Sequence, residues 1–187
     1  MHEVFGEAAS VTPTGIVYLM HEMEGYLISS QIKSFLLAFI VITLAMAGAL
    51  RSFKLGALAM IPNLLPIVCV LALMPVLDIP LDVGTVMIAG VALGLVVDDS
   101  THFLYRYQEE RKRAPDARHA LAGAMSFAGR PIVFTSIVLS LGFGVLFFGS
   151  FNPVANFGVL AALVIALALV FDLVVLPAIV GCFRSSL

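Results

Sequence analysis

Two adjacent aspartates, Asp98 and Asp99, directly follow an apolar run at residues 83–97. A helix needs about 20 residues to cross about 30 Å of hydrocarbon, so a span that starts at residue 83 must continue to about Tyr105. Both carboxylates then lie inside the bilayer, about 7 Å past its midplane. An ionised carboxylate there costs about 2.5–3.5 kcal/mol, and such residues usually face a bundle interior and serve ion or proton movement. The chemistry predicted is reversible proton binding.

An alternative interpretation is that residues 98–101 cap the start of a separate cytoplasmic helix. Aspartate, serine and threonine are all common N-cap residues. The membrane helix would then end at Val97, and it would be too short to span the bilayer unless it began before Pro80, across two further aspartates. We therefore predict the intramembrane placement.

Three more polar residues are candidates for the same proton relay. His102 lies four residues after Asp98 and three after Asp99, so it can contact either carboxylate, to relay a proton or only to hydrogen-bond. Thr135 has a predicted depth close to that of the aspartates, although hydroxyls in membrane helices often bond only their own carbonyl at i−4. Asp172 lies in the cytoplasmic half of the last span, where it either joins this cluster or extends to the interface.

Small residues precede the aspartates on the same predicted helix. Gly90 and Gly94 form a GxxxG spacing, which allows close approach of another helix. Gly94 lies four residues before Asp98, so the predicted packing face and this carboxylate share one stripe. A second face of small residues repeats every four positions in the fourth span: Ser136, Ser140 and Gly144.

The composition is that of an integral membrane protein. Of 187 residues, 61% are hydrophobic and 12% are charged, against about 25% charged in a soluble domain, and the mean hydropathy is +1.09. We expect an all-α protein with five transmembrane helices, at about 32–50, 55–76, 83–105, 131–149 and 155–180. No nucleophile–base pair, phosphate loop or metal-ligand spacing appears, so we expect neither an enzyme nor a cofactor or metal site.

The distribution of basic residues predicts the orientation. The first loop carries Arg51 and Lys54 and the third carries six bases, whereas the second and fourth carry none. The positive-inside rule then places the first and third loops and the C-terminus in the cytoplasm, and residues 1–31 outside. The bases of the third loop indicate topology and lipid-headgroup contact rather than nucleic-acid binding, because no nucleic-acid motif accompanies them.

Two amphipathic segments flank the predicted spans. Residues 13–30 have apolar side chains at helical spacing and run toward the first span. In the third loop, residues 115–128 predict a short helix on the cytoplasmic membrane surface, ended by Gly129, Arg130 and Pro131. An odd number of spans after an external start indicates that further chain precedes this sequence, and we expect the C-terminal piece of a larger transporter.

Three motifs resemble one superfamily. The stretch GVALGLVVDDSTHFLYRYQEE at 90–110 is similar to the resistance–nodulation–division (RND) superfamily, and within it to the MMPL-like predicted exporters. The stretches GRPIVFTS at 129–136 and FDLVVLPAIV at 171–180 resemble the same branch. The resemblance implies twelve spans in two similar halves, each half with a large external domain. This chain would be the last five helices, preceded by the tail of a porter-type external domain at 1–31.

The resemblance also implies a function. Asp98 and Asp99 match the proton-relay carboxylates of the family, and Thr135 matches a polar residue that gates their access. The chain would be the proton-coupled half of an exporter of lipids or other hydrophobic compounds in the bacterial inner membrane, working with the first half and the porter domains. The alternatives are a lipid- or sterol-sensing-like module without transport, sensitive to bulk at Gly90 or Gly94, and an inactive truncated fragment.

The size of the native polypeptide tests the expectation of a larger transporter. A C-terminal tag at the chromosomal locus should give a membrane-fraction band several times heavier than the 19.9 kDa of this sequence. A band near 20 kDa, with no larger species, would contradict it.

Overall fold

The computed structural model describes residues 15–80 and 82–182, and every element in these ranges is helical. Residues 1–14 lie outside the described residues. They include the first part of the predicted external stretch at 1–31 and the start of the predicted amphipathic segment at 13–30. The elements are α1 (Ile16–Ala49), α2 (Phe53–Leu73), α3 (Val83–Arg111), α4 (Ala117–Gly144), a 3₁₀ turn (Val145–Phe148), α5 (Asn152–Val170), a π-helical segment (Phe171–Val175) and α6 (Leu176–Cys182).

Five helical stretches are long and apolar enough to cross a bilayer. They are Tyr18–Ala49, Phe53–Leu73, Gly84–Arg111, Ala117–Phe148 and Asn152–Cys182. The last combines α5, the π-helical segment and α6 into 31 residues. The prediction of an all-α protein with five membrane-spanning helices is confirmed, while the orientation of its ends stays a prediction.

Helix α3 begins at residue 83 because a capping box fixes its first turn. The Thr85 N–H donates to Asp82 Oδ1 at 2.8 Å, and the Asp82 N–H donates to Thr85 Oγ1 at 2.7 Å, so two otherwise unpaired donors are satisfied. From there α3 runs unbroken for 29 residues, through both aspartates. The alternative that residues 98–101 cap a separate helix is therefore wrong.

The boundaries around Pro131 differ from the prediction. Residues 117–144 form one helix, α4, so the expected separate helix at 115–128 does not end at Gly129, Arg130 and Pro131. A proline removes only one backbone donor, and membrane helices tolerate this loss when neighbouring groups compensate. The start of α4 is fixed by Asp116, whose carboxylate accepts from the His119 N–H at 2.8 Å. The same hydrogen bond lowers the pKa of the Asp116 carboxyl.

Helix α3 is the centre of the bundle. It packs against α1, α2, α4 and α5, and α5 also packs against α2 and α4. The core includes Ile88, Leu93 and Phe103 of α3 together with Leu160 and Val164 of α5, all fully buried. Helix α1 has a different environment, because most of its apolar side chains are exposed and only a few, such as Phe39 and Met46, pack at the core. It begins well before the predicted span at 32 and continues into it without a break.

Glycines allow close helix contacts at the ends of the bundle rather than beside the aspartates. A Cβ on Gly158 of α5 would lie 2.5 Å from Leu146 Cβ and 2.6 Å from the Phe143 carbonyl oxygen. A Cβ on Gly84 of α3 would lie 2.5 Å from the Pro153 carbonyl oxygen. Real atoms do not approach this closely, so both positions require glycine for backbone packing.

The distances from an added Cβ also bear on the predicted packing role of Gly90 and Gly94. A Cβ on Gly90 would meet only the flexible Gln31 side chain, with Nε2 at 3.0 Å, and a Cβ on Gly94 would meet nothing within 4 Å. Gly94 is exposed because α3 turns this stripe away from the other helices of the chain. Gly94 therefore lies on an open face of α3, whereas Gly90 is half-buried against the Gln31 side chain of α1.

Replacing Gly158 by alanine should destabilise the bundle. The added methyl group collides with backbone and with Leu146, and overpacking of this kind typically costs about 1–3 kcal/mol. Thermal unfolding of the detergent-purified protein measures the effect. Gly142→Ala in α4 is the control, because its Cβ would meet nothing within 4 Å. Equal melting temperatures for the two variants would refute the close α4–α5 contact.

Candidate functional site

Three consecutive residues of α3 point in three directions. Successive helical side chains are rotated by about 100°, and here Asp98 faces outward, Asp99 faces α4, and Ser100 faces α2 and the π-helical segment. The site is a polar layer, defined as Asp98, Asp99 and Ser100 with the side chains that contact them.

Asp99 connects α3 to α4 through one hydroxyl. Ser136 Oγ donates to Asp99 Oδ2 at 3.0 Å, and Ser136 is only 2% exposed. The sequence identified Ser136 as a packing residue without assigning it this bond. Because a hydrogen bond to an ionised acceptor is about twice as strong as a neutral one, this contact depends on the charge of Asp99.

Asp98 pairs with His102 on the open side of α3. His102 Nε2 lies 3.5 Å from Asp98 Oδ1, and their side chains are 73% and 75% exposed. The predicted contact between positions i and i+4 is present. Gly94 lies one turn before Asp98 on this uncovered stripe. A carboxylate and an imidazole within an apolar span are costly to expose to lipid.

Ser100 joins two further helices in the most buried part of the site. Its Oγ lies 2.6 Å from Asn63 Oδ1 of α2 and 2.5 Å from Asp172 Oδ1 of the π-helical segment. Asn63 and Ser100 are 0% exposed and Asp172 is 1% exposed. Of the two alternatives for Asp172, the one that extends it to the interface is wrong, since the carboxyl lies inside the bundle and is held by Ser100.

The backbone around Asp172 is π-helical rather than α-helical. The Leu176 N–H bonds to the Phe171 carbonyl, five residues back. Single π turns are rare inside helices and are frequent at functional sites. This wider turn carries the Asp172 side chain at its second position, within the segment that packs against α2.

A cavity of about 610 Å³ lies between α3 and α4 and contains the outer part of the site. Its lining includes both aspartates, His102 and Thr135. The Thr135 hydroxyl oxygen lies 3.0 Å from the carbonyl oxygens of both Pro131 and Ile132, so it donates to one of them within its own helix. Thr135 therefore lines the same cavity as the aspartates. Its hydroxyl is hydrogen-bonded within its own helix, which is the alternative that the sequence also allowed.

An arginine and an aromatic ring line another part of this cavity. The Arg106 guanidinium carbon lies 4.1 Å from the centre of the Phe127 ring of α4. Arg106 also pairs with Glu110 at 3.2 Å and with Glu109 at 3.8 Å on its own helix. The glutamates balance its charge and the ring shields it, so a cation is accommodated next to the carboxylates without direct pairing to them.

Sequence reasoning missed Asn63 entirely. Asn63 follows Pro62 in the second predicted span. The proline indicates a kink there, and no role is predicted for the Asn63 side chain. An asparagine within a predicted span is itself a usable signal, because a buried amide needs hydrogen-bond partners. In the part of the chain that the structure describes, no three His, Cys, Asp or Glu side chains are grouped to hold a metal ion.

The geometry defines a multi-pass, all-helical membrane protein with carboxylates inside the bundle. The chain belongs to the MMPL family, whose description matches residues 3–185. The resemblance to MMPL-like members of the RND superfamily is thereby confirmed. Family membership points to a membrane transport module rather than an enzyme. No solved structure matches the chain significantly.

Curated relatives come from archaea and bacteria. The chain is 28% identical over 176 residues to a membrane protein of Methanocaldococcus jannaschii, covering 94% of this chain and 45% of that protein. It is 27% identical over 152 residues to the hopanoid transporter HpnN of Burkholderia multivorans, covering 81% of this chain and 17% of that protein. A membrane protein of Streptomyces coelicolor is 29% identical over 93 residues, covering 49% and 13%. The chain thus spans less than half the length of these relatives.

Removing the Ser136 hydroxyl should destabilise the protein more than removing that of Thr135. Ser136→Ala leaves the half-buried Asp99 carboxylate without this partner, and an unpaired acceptor typically costs about 1–3 kcal/mol when buried. Thr135→Val deletes a bond made within one exposed helical turn and should change the free energy of unfolding by less than about 0.5 kcal/mol. Thermal or denaturant unfolding in detergent compares them. A larger loss for Thr135→Val would contradict the α3–α4 contact.

Proposed function

We propose that the chain is the proton-coupled half of an RND/MMPL-type exporter of lipids or other hydrophobic compounds. Asp98 and Asp99 are its relay carboxylates, with His102, Thr135 and Asp172 as further members. The observation that carries the proposal is the polar layer itself. Adjacent residues of one helix there hold hydrogen bonds to α2, α4 and the π-helical segment inside an apolar bundle.

Proton binding at Asp99 would change the contact between two helices. The ionised carboxylate accepts a charge-assisted bond from Ser136, and a protonated acid accepts a weaker one and adds an O–H donor of its own. The relative stability of the α3–α4 packing then depends on whether a proton is present. Such a dependence is what couples proton movement to a transport cycle, because a ligand shifts an equilibrium only by its differential affinity for the two states.

The cavity between α3 and α4 offers the route to Asp99. Asp98 and His102 stand at its exposed side. Thr135 lines the same cavity. A proton that enters the cavity would pass the His102–Asp98 pair before it reaches the carboxylate that contacts α4.

The open stripe of α3 would be covered by the rest of the transporter. It carries Gly94, which leaves room for close approach, and the Asp98–His102 pair, which lipid would not accommodate. The partners in this proposal are the other half and the porter domains of the same transporter, with residues 1–31 outside a bacterial inner membrane. The shared family with HpnN, a hopanoid transporter, supports a hydrophobic substrate.

Asp98→Asn and Asp99→Asn should each abolish export while leaving the membrane level of the full-length protein unchanged. Asparagine keeps the shape of the side chain but cannot bind and release a proton. Export is followed as acetate-labelled lipid that leaves the inner membrane, and protein level by immunoblot. The matched control is Asp78→Asn, in the loop before α3, where φ is +53° and asparagine is well tolerated.

Retained export in both relay variants would overturn the proposal. It would favour a lipid-sensing module without transport. Loss of export in Asp78→Asn as well would mean that the assay reports general damage to the protein.

A further inference from the structure

Ser100 has one proton and two close oxygen neighbours. Its Oγ lies 2.6 Å from Asn63 Oδ1 and 2.5 Å from Asp172 Oδ1. A hydroxyl donates one hydrogen bond, so Ser100 cannot donate to both oxygens at once. One of the two contacts therefore needs a proton from the other partner.

The atoms that face Ser100 identify the partner that supplies it. Asn63 presents its carbonyl oxygen, Oδ1, to Ser100, and a carbonyl oxygen only accepts. An O–H···O bond of 2.6 Å is ordinary. Ser100 thus donates to Asn63 Oδ1, and the 2.5 Å contact requires an O–H on Asp172.

The surroundings of Asp172 agree with a neutral acid. Its second oxygen, Oδ2, is buried without a hydrogen-bond partner, as is Asn63 Nδ2. Among the described residues no Lys, Arg or His nitrogen lies within 4.0 Å of the carboxyl. The acidic Asp99 of α3 interacts electrostatically with the Asp172 carboxyl, whereas the Asn63 side chain of α2 is uncharged. Burying an ionised carboxylate without a counter-charge is far more costly than burying the acid.

We infer that Asp172 holds a proton in this conformation and donates it to Ser100, which donates in turn to Asn63. Asn63 is a positioning residue, because its carbonyl oxygen accepts the one hydrogen bond that Ser100 can donate. Ser100 then has no proton to donate to an ionised Asp172, and the protonated form of Asp172 is favoured. This inference rests on the proposed function for its role in transport, where it adds a proton-holding site distinct from the Asp98–Asp99 pair. Release of the proton would let Ser100 rotate its hydroxyl from Asn63 to the new carboxylate.

Infrared spectroscopy of the full-length protein in phosphatidylcholine bilayers tests the protonation state. At pH 7 the wild type should show a carboxylic acid C=O band that shifts in D₂O and is lost in Asp172→Asn. Asp78→Asn is the control and should retain the band. Identical spectra for wild type and Asp172→Asn would overturn the inference.

A pH series tests the role of Asn63. Asn63→Val frees the Ser100 hydroxyl to donate to the carboxylate, so the pH at which half the band remains should fall by about one unit or more, a tenfold change in the ratio of the two forms. Asn152→Val, at the exposed start of α5, should leave that pH unchanged. If Asn63→Val does not accumulate, Ser100→Ala replaces it, and its band should differ in frequency from that of the wild type.

An unchanged band in the accumulating variant would overturn the role of Asn63. The spectra require no transport, so their outcome is separate from that of the export assay. Retained export in the Asp98 and Asp99 variants would refute the relay and leave the protonation of Asp172 standing.

Discussion

The structure depends on one constraint: polar groups inside an apolar bundle must find partners within the bundle. In this chain the constraint is met at a single level of α3, where Asp99 and Ser100 lie side by side. Their bonds reach α2, α4 and the π-helical segment, so one polar layer joins four parts of the bundle. Most of the remaining interior is apolar, and its contacts are non-directional. The polar layer is therefore where rotation of one helix against another is most strongly restricted.

Helical geometry explains why so few residues suffice to join these parts of the bundle. A rotation of about 100° per residue lets three consecutive side chains face three different surroundings. The capping box at Asp82 fixes where α3 starts, and the close contact at Gly84 fixes its approach to α5. Together they set the depth of the layer. The π-helical segment adds the last component, because Asp172 reaches Ser100 from within its widened turn.

The two sides of α3 differ in what they leave unsatisfied. On the inner side, Asn63, Ser100 and Asp172 contact one another, and we infer that the acid there is protonated. On the outer side, the Asp98 and His102 side chains are largely exposed and line the cavity between α3 and α4. The chain spans less than half of its curated relatives, and an incomplete outer face is consistent with that fraction. Asp99 lies between these two environments, which is why its contact with Ser136 is central to the proposed coupling.

The sequence by itself determined the class, the number of spans and the start of α3, because hydropathy and helix length act along the chain. Family resemblance through residues 90–110 was equally accessible. Only the tertiary structure decided which way each side chain faces, because this depends on how every helix is rotated about its axis. That rotation buried Asp172 against Ser100 and Asn63, turned Gly94 outward and gave Asp99 its partner in Ser136. It also let α4 continue through Pro131, where a local stop signal had to compete with packing along the whole helix.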